Sequence, residues 1–231
     1  MSIRNGRQAI STSQARSAPT RRNAHPKSAV TRQRILDAAA RTFSLKGYAA
    51  TTINDIAMAA EMQGGSIYYY FESKDHILQE VLDVGITRVF SAVRAAVAAV
   101  PAQSAFSDKL KAAVTSHLTM LLQQGDYTSA NIRVFEQAPA AVKRQNRKLR
   151  ERYGKYWRRL LSSAQRSGEI RPEADVTVLR LMLLGAMNWA VTWYRPDRML
   201  IATLAEKFCD IALRGVEGSD GGASHRRPAR S

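Results

Sequence analysis

Residues 31–82, TRQRILDAAARTFSLKGYAATTINDIAMAAEMQGGSIYYYFESKDHILQEVL, decide the fold, because their apolar spacing dictates three short helices and the start of a long one. Ile35, Leu36, Ala39 and Phe43 recur at three- and four-residue steps, so they share one face of a first helix that Gly47 ends. Thr51 or Thr52 supplies a hydroxyl cap to a second helix carrying Ile56, Ala57 and Ala60. Gly64 and Gly65 open a third element, read as Ser66 to Phe71 and dense in tyrosine; Ser73 caps a fourth helix beginning at Lys74. Two short helices joined by a tight turn, with a third beside them, form a helix-turn-helix arrangement, which seats one helix in the major groove of DNA.

The order Thr52, Ile56–Ala57, Ala60, Gly65, Ile67–Tyr68, Phe71, Lys74 and Leu78 resembles the N-terminal domain of the TetR family of bacterial transcriptional regulators over about fifty residues. The resemblance implies an all-α homodimer of about nine helices, a third helix in the major groove and a divergent C-terminal domain that binds an effector. Two positions depart from the family pattern: Glu61 stands where a glycine is usual at the turn, and Gln63 where a small hydroxyl residue is common. A left-handed Glu61 costs roughly 1–2 kcal/mol.

Affinity for duplex DNA comes from phosphate neutralisation, and sequence is read at base edges. By resemblance, Thr52, Gly65, Tyr70 and Lys74 are the backbone-contacting positions. A lysine in the first turn of a helix opposes the helix dipole, which favours a phosphate-facing role for Lys74. Gln63, Ser66 and Tyr69 lie on or just before the third helix and are the candidate base readers, glutamine being able to pair bidentately with adenine. Tyr68 and Phe71 read equally as core aromatics.

The formal net charge of +16 suits any polyanion, but its distribution says more. No acidic residue precedes Asp37, whereas Arg4, Arg7, Arg16, Arg21, Arg22, Lys27, Arg32 and Arg34 do. Residues 1–28 read as a disordered basic arm, 29–75 as the DNA-binding domain, 76–217 as the effector-binding and dimerisation domain, and 218–231 as a disordered tail. The arm either tracks an adjacent groove or merely raises general DNA affinity. Neither end reads as a targeting signal, and the longest uncharged stretch, Leu181–Tyr194, is shorter than a bilayer span. With one cysteine, Cys209, no internal disulfide forms. The expectation is a cytoplasmic protein without membrane attachment.

Beyond the head, the fourth helix is expected to continue from Lys74 to Pro101 as a rigid connector. Further helices read as Phe106–Gln123, Tyr127–Gln137, Ala140–Ser167, Ala174–Tyr194 and Pro196–Gly215, punctuated by glycine and proline. The segment Leu179–Tyr194 is apolar nearly all round, so it needs covering on two sides, one of them by a symmetry mate. Leu179, Leu183, Met187, Leu204 and Phe208 are the candidate dimer contacts, at the position where the family forms its interface. A dimer implies an inverted-repeat operator.

The string Asn188–Trp189 and Trp193–Tyr194–Arg195–Pro196 is similar to TetR-type regulators of lipid catabolism, which implies a fatty acyl-coenzyme A or related lipophilic thioester as effector. Nine lysines and arginines crowd Lys143–Arg159; Arg147, Arg150 and Arg158 are the candidate phosphate ligands. Met120, Leu121, Phe135, Tyr153, Trp157, Met182 and Trp189 are the candidate lining of an apolar pocket. Alternatively, the basic run is a solvated face and the aromatics are ordinary core.

Catalysis is not expected. Four histidines show no metal-ligand spacing, Cys209 lies on the apolar register of a helix, and no nucleophile–base arrangement is visible. No cofactor is expected beyond the possible effector. The remaining alternative is a general basic DNA-binding protein without effector control, which binds with a steep salt dependence and little sequence preference.

Overall fold

The computed structural model describes residues 26–123 and 125–214. Nine α-helices follow one another among the described residues: α1 (Pro26–Lys46), α2 (Ile53–Ala59), α3 (Gly64–Ile67), α4 (Lys74–Ala98), α5 (Phe106–Leu122), α6 (Asp126–Arg133), α7 (Ala140–Arg166), α8 (Val176–Trp193) and α9 (Ile201–Arg214). The all-helical expectation therefore holds. Helix α1 begins inside the segment read as a disordered arm, with Pro26 as its first residue, a position that suits a residue lacking a backbone N–H. The rest of the arm and the whole 218–231 tail lie outside the described residues.

Other ends differ for local reasons. Helix α6 stops at Arg133, and Val134–Ala138 turns toward Pro139. Helix α9 begins at Ile201, because Arg195–Arg198 forms a turn after Pro196, and the Tyr194 hydroxyl donates to the Met199 carbonyl at 2.8 Å.

Two apolar cores share the connector α4. The first joins Ile35, Phe43, Ile56, Ile67, Phe71 and Leu78 to Ala130, Val134 and Val142, so the head packs directly on α6 and the start of α7. The second gathers Val89, Leu110, Leu118, Trp157, Leu161, Met187 and Leu204 from the remaining helices. They meet at Gly85, where an added Cβ would lie 2.6 Å from the Tyr127 carbonyl and 2.9 Å from Asn131 Nδ2. Glycine there allows α6 to cross α4 closely. Cys209 faces inward from α9; burial pushes its thiol up to about 11.

Candidate nucleic-acid interface and effector cavity

The head is braced by ties between its short helices. Thr52 caps α2: its hydroxyl accepts from the Asp55 amide at 3.1 Å and donates to the Asp55 carboxylate at 2.7 Å. Hydrogen bonds from Lys46 and Thr52 hold that carboxyl well below the usual range. At the turn, Glu61 adopts φ 55°, the one positive φ outside glycine among the described residues. Helix α3 starts at Gly64 instead of Ser66, and α2 presses closely on that glycine: a Cβ at Gly64 would stand 2.3 Å from Asn54 Oδ1. One helical turn follows, and Tyr68–Tyr70 continues as turns anchored on the Ile67 carbonyl.

This geometry sets an outward face. Gln63 and Gly65 are exposed, Ser66 and Tyr70 are half-buried, and Tyr69 is 88% exposed. A Cβ at Gly65 would meet no protein atom, so its backbone is open to an approaching surface. Tyr68 is 59% exposed, which resolves its ambiguity toward the outer face, whereas Phe71 is core. The Lys74 ammonium donates to the carbonyls of Tyr48 at 3.1 Å and Thr51 at 2.9 Å, and lies 4.1 Å from the Tyr48 ring centre. Two of its three donors bind the α1–α2 turn, which leaves the third for another acceptor.

Beneath the head, a half-open cavity of about 200 Å³ lies between α4, α5, α6, α7 and α8. Gly85, Ile86 and Val89 form one wall, Thr128, Asn131 and Ile132 of α6 another, and His117, Arg150, Tyr153, Arg180 and Asn188 supply polar groups. His117 Nδ1 lies 2.8 Å from the Tyr153 hydroxyl and Nε2 lies 3.2 Å from Asn188 Oδ1. As Asn188 Oδ1 only accepts, Nε2 carries the proton and Nδ1 accepts from tyrosine. Burial lowers the His117 pKa to about 4, so the ring is neutral. Arg150 stacks 3.6 Å from the Phe135 ring centre and donates to the Asn131 carbonyl at 3.0 Å and Asn146 Oδ1 at 2.8 Å. Burial lowers its pKa to about 10.

The cavity connects to the head through α6. The Tyr127 hydroxyl donates to Asp37 at 2.7 Å and accepts from Gln33 at 3.0 Å, both on α1. Just past α6, Gln137 Oε1 accepts the Tyr48 amide at 3.0 Å. Helix α6 thus lines the cavity and grips the middle of α1, and the turn after α6 holds the turn after α1.

Residues 35–81 match the family described as bacterial regulatory proteins, tetR family, and residues 103–216 match the tetracyclin repressor-like C-terminal domain. The chain belongs to the TetR family. The HTH-type transcriptional repressor KstR2 of Rhodococcus jostii is 28% identical over 191 residues, spanning 80% of this chain and 90% of that one. The TetR-family regulator PfmR of Thermus thermophilus superposes with a TM-score of 0.69 at 26% identity, covering 80% of this chain and 100% of that one. FadR of Bacillus subtilis, solved in complex with stearoyl-CoA, has the same fold at 20% identity, with a TM-score of 0.68 over 80% of this chain and 99% of that one.

Most of the effector residues read from sequence do not line this cavity. Only Tyr153 of the expected pocket lining faces the cavity. Leu121 and Trp157 are closed into the core, Met120 is half-buried against it, and Phe135 lies under Arg150 in the head's core. Met182 and Trp189 are 65% and 66% exposed on the outer face of α8. Of the expected phosphate ligands, Arg150 lines the cavity, Arg158 borders a depression outside it, and Arg147 is exposed and touches neither.

The expected dimer contacts need the same correction. Leu179, Leu183, Met187 and Leu204 are buried in the chain's own second core, although Leu179 and Leu183 also line an apolar groove between α8 and α9. Phe208 is half-buried beside an apolar groove between α8 and α9. The outward stripe is Val178, Met182, Trp189 and Trp193, one helical position away. Helix α8 thus has a buried and an open face, although by length and composition alone it is apolar enough to cross a membrane.

Proposed function

We propose that this TetR-family protein is a cytoplasmic repressor that binds an inverted-repeat operator as a homodimer and leaves it when an acyl-coenzyme A thioester fills the cavity. One observation carries the reading: Thr128, Asn131 and Ile132 line the cavity on the helix whose Tyr127 holds α1. A ligand that displaces α6 moves the head, and release follows if the ligand prefers the conformation whose head spacing misfits the operator.

Gln63, Ser66, Tyr68 and Tyr69 serve as the groove-facing residues. Thr52, Gly65 and Tyr70 lie beside them, toward the backbone. Dimerisation through the outer stripe of α8 and Ile211 of α9 covers side chains that are 45–75% exposed in the single chain. The stearoyl-CoA complex of the Bacillus subtilis protein and the four arginine or lysine side chains around the cavity mouth support a thioester carrying phosphates.

The test is fluorescence anisotropy of a labelled operator, selected from a random duplex pool, titrated with acyl-coenzyme A thioesters and with the matching free acids. Release by thioester alone supports the reading. Absence of an enriched inverted repeat turns the assignment toward general basic DNA binding, and indifference to every thioester removes the effector class.

A further inference from the structure

We propose that the effector site has two chambers joined at Gly154: an outer basic one for phosphate groups, and an inner one for a short acyl group bearing a second oxygen acceptor. This narrows, and rests on, the acyl-coenzyme A reading above.

Three independent features define the chambers. A depression of about 350 Å³ lies outside the cavity, lined by Arg150, Glu151, Gly154, Lys155, Arg158 and Arg180, and shares Arg150, Gly154 and Arg180 with it. Those shared residues form the neck. Four cations against one carboxylate make the outer chamber a site for phosphate oxygens. Gly154 sits in mid-helix, where glycine costs about 1 kcal/mol relative to alanine. Its absent side chain matters here, because a Cβ would lie 3.2 Å from Arg180 Nη1 and drive the guanidinium into the opening.

The inner chamber is small and rich in donors. A volume of about 200 Å³ is small beside the roughly 300–1,000 Å³ usual for ligand pockets, which suits a short acyl group better than a long alkyl chain. Its lining contains no aspartate or glutamate. Arg150 is committed to Asn131 and Asn146, but Arg180 makes no hydrogen bond or ion pair among the described residues. With Asn188 on the same helix and Thr128 lining the cavity from α6, Arg180 suits a ligand oxygen, such as a hydroxyl or oxo group on the acyl chain.

The experiment compares release midpoints of the full-length protein on its operator for coenzyme A, butyryl-CoA, 3-hydroxybutyryl-CoA and palmitoyl-CoA, with calorimetric binding of each. The 3-hydroxybutyryl thioester is expected to release at about tenfold lower concentration than palmitoyl-CoA, with butyryl-CoA between them. Equal or better release by palmitoyl-CoA overturns the inference and leaves the acyl-coenzyme A reading intact. No binding of any thioester overturns both. Gly154→Leu should shrink the ratio between the short and long thioesters by narrowing the neck. Arg180→Gln, which adds no bulk, should erase the preference for the hydroxylated chain. An unchanged preference in both variants refutes the two-chamber site.

Discussion

The two cores of this molecule handle polarity in opposite ways. In the head, lysine and threonine side chains fasten short helices and their turns: Lys46 to Asp55 at 2.7 Å, Lys74 to two carbonyls, and the buried Thr51 to the Gly47 carbonyl at 2.6 Å. The C-terminal core admits polar groups into its interior, where His117, Tyr153 and Asn188 line a cavity. A reading head must present fixed side chains to fixed base edges, which favours a closed core. An effector domain needs alternative arrangements of similar energy, and an incompletely filled interior supplies them.

The largest test of that contrast removes a ring from the head. Phe43→Ala should lower the unfolding free energy by about 3–5 kcal/mol in urea titrations and abolish operator binding. In the other core, Trp157→Phe should lose less, because the buried Trp157 Nε1 has no acceptor to forfeit. Equal losses would mean that the two cores are equally well fitted.

Acid separates the cores next. The buried His117 has a pKa of about 4, against 6.5 in an open chain. Above pH 6.5 both states are neutral and its contribution to stability is complete. Between 6.5 and 4 only the unfolded chain takes up the proton, so stability falls as pH falls. The total loss from this group is about 3 kcal/mol. Unfolding curves across that range should show it, and His117→Gln should flatten the slope; an unaltered slope would place the acid sensitivity elsewhere.

Tyr127→Phe removes both hydrogen bonds to α1 and should cost about 1 kcal/mol. Its sharper effect is on communication: thioester binding by calorimetry should persist while release from the operator weakens. Full release by the variant would show that α6 does not transmit through Tyr127. The smallest effect belongs to the turn, where Glu61→Gly should stabilise the head by less than about 1 kcal/mol, read as a rise in thermal midpoint.

The head was legible from sequence because a helix-turn-helix fixes spacing tightly: α2, its Thr52 cap, the Ser73 cap and the start of α4 follow from a few hydroxyl, glycine and apolar positions. The partners of Lys74 within the chain, the Tyr48 and Thr51 carbonyls, were not legible because they come from a turn more than twenty residues away. In α8, apolar side chains occupy both faces, so hydrophobicity alone does not distinguish the inward Leu179–Leu183–Met187 row from the outward Val178–Met182–Trp189 row. One available signal went unused: Arg180 is the single charged residue of α8, and it opens on the cavity. The cavity itself depends on five helices converging, which no local pattern encodes.

Cys209 gives the C-terminal core a chemical clock. As the chain's one thiol, buried on α9 and held protonated to about pH 11, it reacts with a disulfide reagent only when α9 lifts away from α5. The rate of modification of the unaltered protein therefore counts openings of the effector domain. A ligand that seals the cavity should slow it, and operator DNA, acting from the head through α6, should shift the same rate without touching the thiol.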